Sequence, residues 1–269
     1  MMESALILPG SGARIVSMLR HSLRWFLRFV LVAVIIPIVL GAAISYARGW
    51  PESWRNARWE SSGLLPQARD VPEALVMVIA ARTGRWKSIF AEHTAIVLKP
   101  EGASDWTRYD VVGWGSPVRR NAYAADALWY GNRPYVVGEV RGAKAAALIP
   151  RIEAAIAAYP HQRRGSYTVW PGPNSNTFVA WVVRNSEGFG IEMPPAAVGK
   201  DYLGMGIGAA PATSGTGIVV SIAGVLGLTL ALREGLELNL LGSSIGIDPD
   251  DLAIKLPALG KLSLLDLAG

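Results

Sequence analysis

The chain has 269 residues, 51% of them hydrophobic and 17% charged, with a net charge of +5 and no cysteine. Lack of cysteine excludes disulfides, thiolate zinc sites and a cysteine nucleophile. The basic residues are scattered and several precede an apolar run, so the charge reads as membrane topology and affinity for an anionic bilayer surface; nucleic acid is not an expected partner.

Arg14, Arg20, Arg24 and Arg28 have no acidic residue among them and are followed by Phe29 to Tyr46, which is uncharged. That run is long enough to cross a hydrocarbon core as a helix, with Pro37 tolerable as a kink. Glu52 and Glu60 dilute Arg48, Arg55 and Arg58 on its far side, so the positive-inside rule keeps the N-terminus in the cytoplasm. The reading is a basic leader over 1–24, a transmembrane signal anchor over 25–47 and a periplasmic globular domain on a bacterial inner membrane. A cleaved signal peptide competes, because Ser45-Tyr46-Ala47 offers small residues to a signal peptidase. Residues 48–71 form a juxtamembrane linker whose Trp50, Trp54 and Trp59 suit the lipid interface.

An α+β core is expected over 72–196. Residues 74–81, 86–90, 93–98 and 106–112 are short β-rich segments and read as a meander. Residues 116–131 read as an irregular or short helical crossover, and 134–140 as another strand. Residues 142–159 carry Ala145, Leu148, Ile149, Ile152, Ala155 and Ile156 on one helical stripe, with Pro150 in the middle and Pro160 as the stop. In Trp170 to Phe178, the run Pro171-Gly172-Pro173 makes a turn, and Asn174, Ser175 and Asn176 are all good caps for a helix running to about Asn185.

The remainder, 197–269, reads as a β-rich extension. Gly217 to Leu232 is uncharged but short for a membrane span and broken by glycines, so strands are expected; residues 236–240 and 252–256 alternate as half-buried strands do. Asp248-Pro249-Asp250-Asp251 reads as a turn rather than a calcium loop, and Gly204, Gly206 and Gly208 do not form a dinucleotide fingerprint. No ligand spacing supports a metal, and no cofactor is expected.

His21 lies in the leader, leaving His93 and His161 as neutral-pH bases for the outer domain. His161 belongs to a polar loop. Strand alternation puts His93 on the face of Ala95 and Val97, and puts Tyr109 and Asp110 of a later strand on opposite faces, so either of these is a candidate to orient the imidazole. Ser175, at a helix start where N–H groups favour developing negative charge, is the candidate nucleophile. Asn174, Asn176 and Trp170 are the candidate binding residues beside it.

The order of His93 in Glu92 to Leu98, an aromatic strand, and Asn174-Ser175-Asn176-Thr177-Phe178 at a helix start resembles the circularly permuted papain-like fold. That group includes NlpC-type peptidases and lecithin:retinol acyltransferase-like enzymes, whose motif is Asn-Cys-x-x-Phe. The resemblance implies an antiparallel sheet packed on two helices and departs at the nucleophile, where Ser175 replaces cysteine. The chain is also similar to a bacterial family catalogued as a domain of unknown function, through Tyr109 to Gly115 and Trp170 to Phe178. Two functions follow as expectations: a membrane-anchored hydrolase or acyltransferase of envelope amides or esters using Ser175 and His93, or a catalytically inactive envelope module binding peptide, glycan or lipid in the same cleft.

Overall fold

A computed structural model describes residues 11–49 and 53–264; the first ten residues of the leader, residues 50–52 of the linker (Trp50 and Glu52 among them) and residues 265–269 of the extension lie outside the described residues. Helices α1 (Ser11–Val30) and α2 (Ile36–Arg48) join through a π turn over Leu31–Ile35. Pro37 explains the turn: it has no N–H to donate and its ring crowds the preceding carbonyls, so the ladder widens just before it, and Ile36 N–H bonds to Leu31 O. The combined helix Arg14–Arg48 has 35 residues and a mean hydropathy of 2.7 in its most apolar stretch, long and apolar enough to cross a membrane, as a signal sequence would also be.

Five strands form the first sheet: β1 (Leu75–Arg82), β2 (Glu92–Lys99), β3 (Thr107–Val111), β4 (Val118–Arg120) and β5 (Tyr135–Arg141). Their order is β4-β3-β2-β1-β5, antiparallel throughout; β1 to β3 follow three of the four segments of the expected meander, and β4 adds a strand inside the stretch expected as a crossover. The segment 86–90 is not a strand. Arg82 pairs with Glu92, which leaves Arg85–Ile89 to make the reversal between β1 and β2 as a 3₁₀ turn. Residues 116–131 hold β4 and irregular chain, and no helix.

Helices α3 (Gly142–Ala157) and α4 (Ser175–Arg184) cover one face of this sheet. Val76, Val78, Ile96 and Leu98 meet the α3 stripe and Phe178, Val179 and Val182 in one core. Each such side chain contributes about 1.5–3 kcal/mol when fully buried. Pro150 remains inside α3 on its exposed side. The other sheet face carries Leu75, Met77, Ile79, Ala95 and Val97, packed by Leu64, Leu65 and Trp106. Trp59 departs from the lipid-interface reading: its ring lies 5.1 Å from Trp129 and 4.7 Å from Tyr130, inside an aromatic cluster of the domain, while Trp54 stays exposed.

The extension is a seven-stranded antiparallel meander: β6 (Ile207–Pro211), β7 (Gly217–Ile222), β8 (Leu226–Ala231), β9 (Gly235–Leu240), β10 (Ser243–Asp248), β11 (Ala253–Leu256) and β12 (Gly260–Ser263). Gly217 to Leu232 thus forms the β7–β8 hairpin, as its glycines suggest. The alternation of this sheet is inverted. Its covered face holds Ser221, Thr229, Glu237, Asn239 and Lys255, whereas Leu and Ile point outward. Lys255 Nζ lies 2.8 Å from Glu237 and 2.6 Å from Glu192, and Lys200 Nζ lies 2.8 Å from Glu237, so ion pairs join the sheet to the loops that follow α4.

Candidate functional site: an aromatic cleft at the start of helix α4

The start of α4 is built by Asn174. Its Oδ1 accepts from Asn176 N at 2.9 Å and Thr177 N at 3.1 Å, while Thr177 Oγ1 accepts from Asn174 N at 3.2 Å, a reciprocal capping box. Asn174 Nδ2 donates to Val169 O and Val198 O. Gly199, at φ +93°, passes so close that a Cβ there would lie 2.5 Å from Asn174 Nδ2, so only glycine fits. The cis bonds Trp170–Pro171 and Gly172–Pro173 lead into the cap.

Asn176 ties α4 to β2. Its Oδ1 accepts from Thr94 N at 3.1 Å and Thr94 Oγ1 at 2.9 Å, and its Nδ2 donates to Glu92 O at 2.9 Å and Val198 O at 2.8 Å. These groups are free to receive it because β3 pairs with β2 from Ile96 onward. The two asparagines therefore use their side chains inside the protein, and Trp170 donates from Nε1 to Leu241 O at 2.8 Å, a bond to the extension. With Asn176 N, Thr177 N and Phe178 N bonded to Asn174, Ser175 N–H is without a partner among the described residues, as is Ser175 Oγ.

His93 lies between Glu92 and Thr94, on the sheet face away from the helices, as the alternation predicts. Its ring stacks on Trp129 with centroids 3.7 Å apart and planes 4° from parallel. Nε2 approaches Asp110 Oδ2 at 3.5 Å, and the same oxygen receives Arg108 Nε at 3.0 Å and Nη2 at 2.9 Å. Tyr109 points to the other face and packs on the helix core, so of the two candidate orienters only Asp110 meets His93. Burial pushes the His93 pKa down and outweighs the hydrogen bond and charge of Asp110, which leaves a neutral imidazole near pH 7. Burial opposes ionisation of Asp110 too, but the hydrogen bond to His93 and the Arg108 charge hold its carboxyl below the usual range.

His93 and Ser175 both line a cleft of about 640 Å³ walled by Trp86, Trp114, Trp129, Tyr130, Tyr167 and Trp170. They are not directly hydrogen-bonded to each other. His161 sits elsewhere, half-buried between Tyr159 and Tyr202. Arg108 and Trp129 escaped the sequence reading. Arg108 was within reach of it, being two residues from Asp110 on one strand and hence on the same face; Trp129 lies in irregular chain that carries no periodicity. A second cavity, of about 690 Å³, opens beside Arg82, Tyr135, Arg233 and Lys261 and holds no comparable pair. Glu192, Asp248 and Asp251 approach within 4.8 Å of one another, but Lys255 and Lys261 lie among them and supply the counter-charge.

No curated protein and no solved structure matches the chain. Both segments that carry the resemblance to a family of unknown function fall within one matched region: residues 73–202 form a domain that matches the family described as "Protein of unknown function (DUF3750)".

Proposed function

We propose that the protein is anchored in a bacterial inner membrane by α1–α2, with its globular part on the periplasmic side, and that the aromatic cleft binds an envelope amide or ester on which Ser175 acts. The observation that carries this reading is the lining of one cleft by Ser175 and by a neutral His93 held against Asp110. Ser175 Oγ would attack the acyl carbon while His93 accepts its proton. The negative oxygen would then face the unpartnered Ser175 N–H at the positive end of α4. The proton passes to the departing amine or alcohol, and water, with His93 again as base, releases the acyl group. Ser175 and His93 are not hydrogen-bonded, and His93 sits on the sheet face away from the helices, so the step needs a rearrangement that brings Ser175 Oγ within reach of the imidazole, directly or through water. The packing of α3 and α4 on one face of an antiparallel sheet, with the Asn-Ser-x-x-Phe segment at the start of α4, supports the permuted papain-like reading.

A second reading has a specific observation behind it. Arg108 takes the Asp110 carboxylate at shorter range than His93 does, which weakens the orienter and favours a cleft that binds peptide, glycan or lipid without chemistry. Labelling the full chain in detergent with a fluorophosphonate probe separates the two. We expect labelling of the native protein and its loss in both Ser175→Ala and His93→Ala; no labelling of native protein that retains a folded near-UV spectrum would leave the binding reading alone.

A further inference from the structure

The outward face of the second sheet has no charged side chain at any strand position among the described residues. Ile218, Val220, Leu228, Leu230, Leu236 and Ile254 are each 40% or more exposed there, with Glu237 and Lys255 turned to the covered side of the same strands. A water-facing sheet alternates the other way, with polar residues outward. Apolar-out and polar-in is the pattern of strands that face hydrocarbon, and so large an exposed apolar face is foreign to a soluble monomer.

A contact between one end of the sheet and the apolar helix bears on what covers this face. The β11–β12 turn reaches α2 at Gly41, where a Cβ would lie 2.5 Å from Ala258 Cβ; only glycine allows the approach. Arg82 Nη2 donates to Ala258 O at 2.8 Å, and Ser45 Oγ lies 2.7 Å from Ser88 Oγ, so the joint is fixed on both sides. Gly41 is inside the uncharged run, five residues before its end at Tyr46, about 8 Å along the helix axis. In the membrane-anchored reading, the sheet thus meets the helix within its apolar run, near the end that faces the outer leaflet.

We infer that the outward face of β6–β12 is seated in the outer leaflet of the membrane that α1–α2 crosses, with lipid acyl chains as its occupant. The sheet lies on the hydrocarbon by its face. It does not span, because its open edges at β6 and β12 leave backbone groups that hydrocarbon cannot satisfy. The inference rests on the membrane-anchored reading above, and the test separates the two.

The chain has no cysteine, so single cysteines report one position each. Leu228→Cys and Ile218→Cys on the face, Val39→Cys on the exposed side of α2 and Glu101→Cys on a distant exposed turn are each labelled with bimane. The full chain is reconstituted in vesicles of phosphatidylethanolamine and phosphatidylglycerol containing phosphatidylcholine brominated in its acyl chains. We expect the probes at 228 and 218 to lose emission to an extent comparable with the probe at 39, while the probe at 101 keeps its emission. Loss at 39 with none at 228 or 218 overturns the inference and leaves the anchor intact. Crosslinking of Leu228→Cys between chains without quenching by brominated lipid overturns it in favour of a second copy. No quenching at any position overturns the anchor and the inference together.

Discussion

Asn176 shows how one residue fixes the geometry of the cleft. Two of its four hydrogen bonds take the backbone on either side of His93, at Glu92 O and Thr94 N, and the others reach Thr94 Oγ1 and Val198 O, so the start of α4 cannot shift without breaking them. Asn176→Ala leaves Thr94 N, Glu92 O and Val198 O buried without this partner. We expect a loss of about 2–4 kcal/mol, read from urea unfolding in detergent, with Ser175 labelling lost in step if its placement depends on this bridge. His93 makes a prediction in pH. Its folded pKa lies below the ordinary 6.5, so it keeps its neutral form where an ordinary histidine is half protonated, and the labelling midpoint should fall below pH 6.5. The sign for stability is the same: the unfolded chain takes up a proton between 6.5 and the lower folded value, so stability is full above that window and declines as pH falls through it. A labelling midpoint at or above 6.5 would remove His93 from the role of base. At this scale the sequence disclosed residue types and faces, and it failed on partners: nothing in the spacing shows Asn174 and Asn176 turned inward, because those bonds join residues up to 84 apart in the chain.

Periodicity read the elements better than it read the residues. The meander, the α3 stripe and the Ser175 helix start follow from local signals of alternation, a 3.6-residue stripe and a cap. The 3₁₀ turn at Arg85–Ile89 was missed because Trp86, Ile89 and Phe90, spaced among Lys87 and Ser88, suit a short strand as well as a hairpin reversal. In the extension, alternation disclosed the strands but not which face is inside; the ordinary rule of apolar-in would have given the reverse. The ion pairs decide it. Glu237 sits between Lys200 and Lys255, and although burial opposes its ionisation, those two charges hold its carboxyl below the usual range. Lys255→Met leaves Glu237 and Glu192 short of a cation in the interior and should cost about 3–5 kcal/mol by urea unfolding in detergent. The contribution of Glu237 is complete above the ordinary carboxyl value of 4.5 and is lost as pH falls through its lower folded value, so the defect of Lys255→Met should shrink in acid. A variant as stable as the native protein at pH 7 would mean that this network is surface decoration.

At the scale of the whole molecule, the order of a basic leader, an apolar helix and an α+β domain could be read from composition, because hydropathy and charge are properties of segments. How the helix meets the domain could not be, since that joint depends on a glycine and an alanine 217 residues apart. Its consequence is one of reach. The 3₁₀ turn that packs against α2 also supplies Trp86 and Lys87 to the cleft, so helix and cleft share a wall. An enzyme or receptor on a flexible tether sweeps a hemisphere of solution. In the anchored reading proposed above, a domain bolted to its own membrane helix would keep a fixed height and tilt and explore only the plane in which it diffuses, so the ligands within its reach would be those presented at that height, drawn from the bilayer's own surface layer rather than from the volume above it.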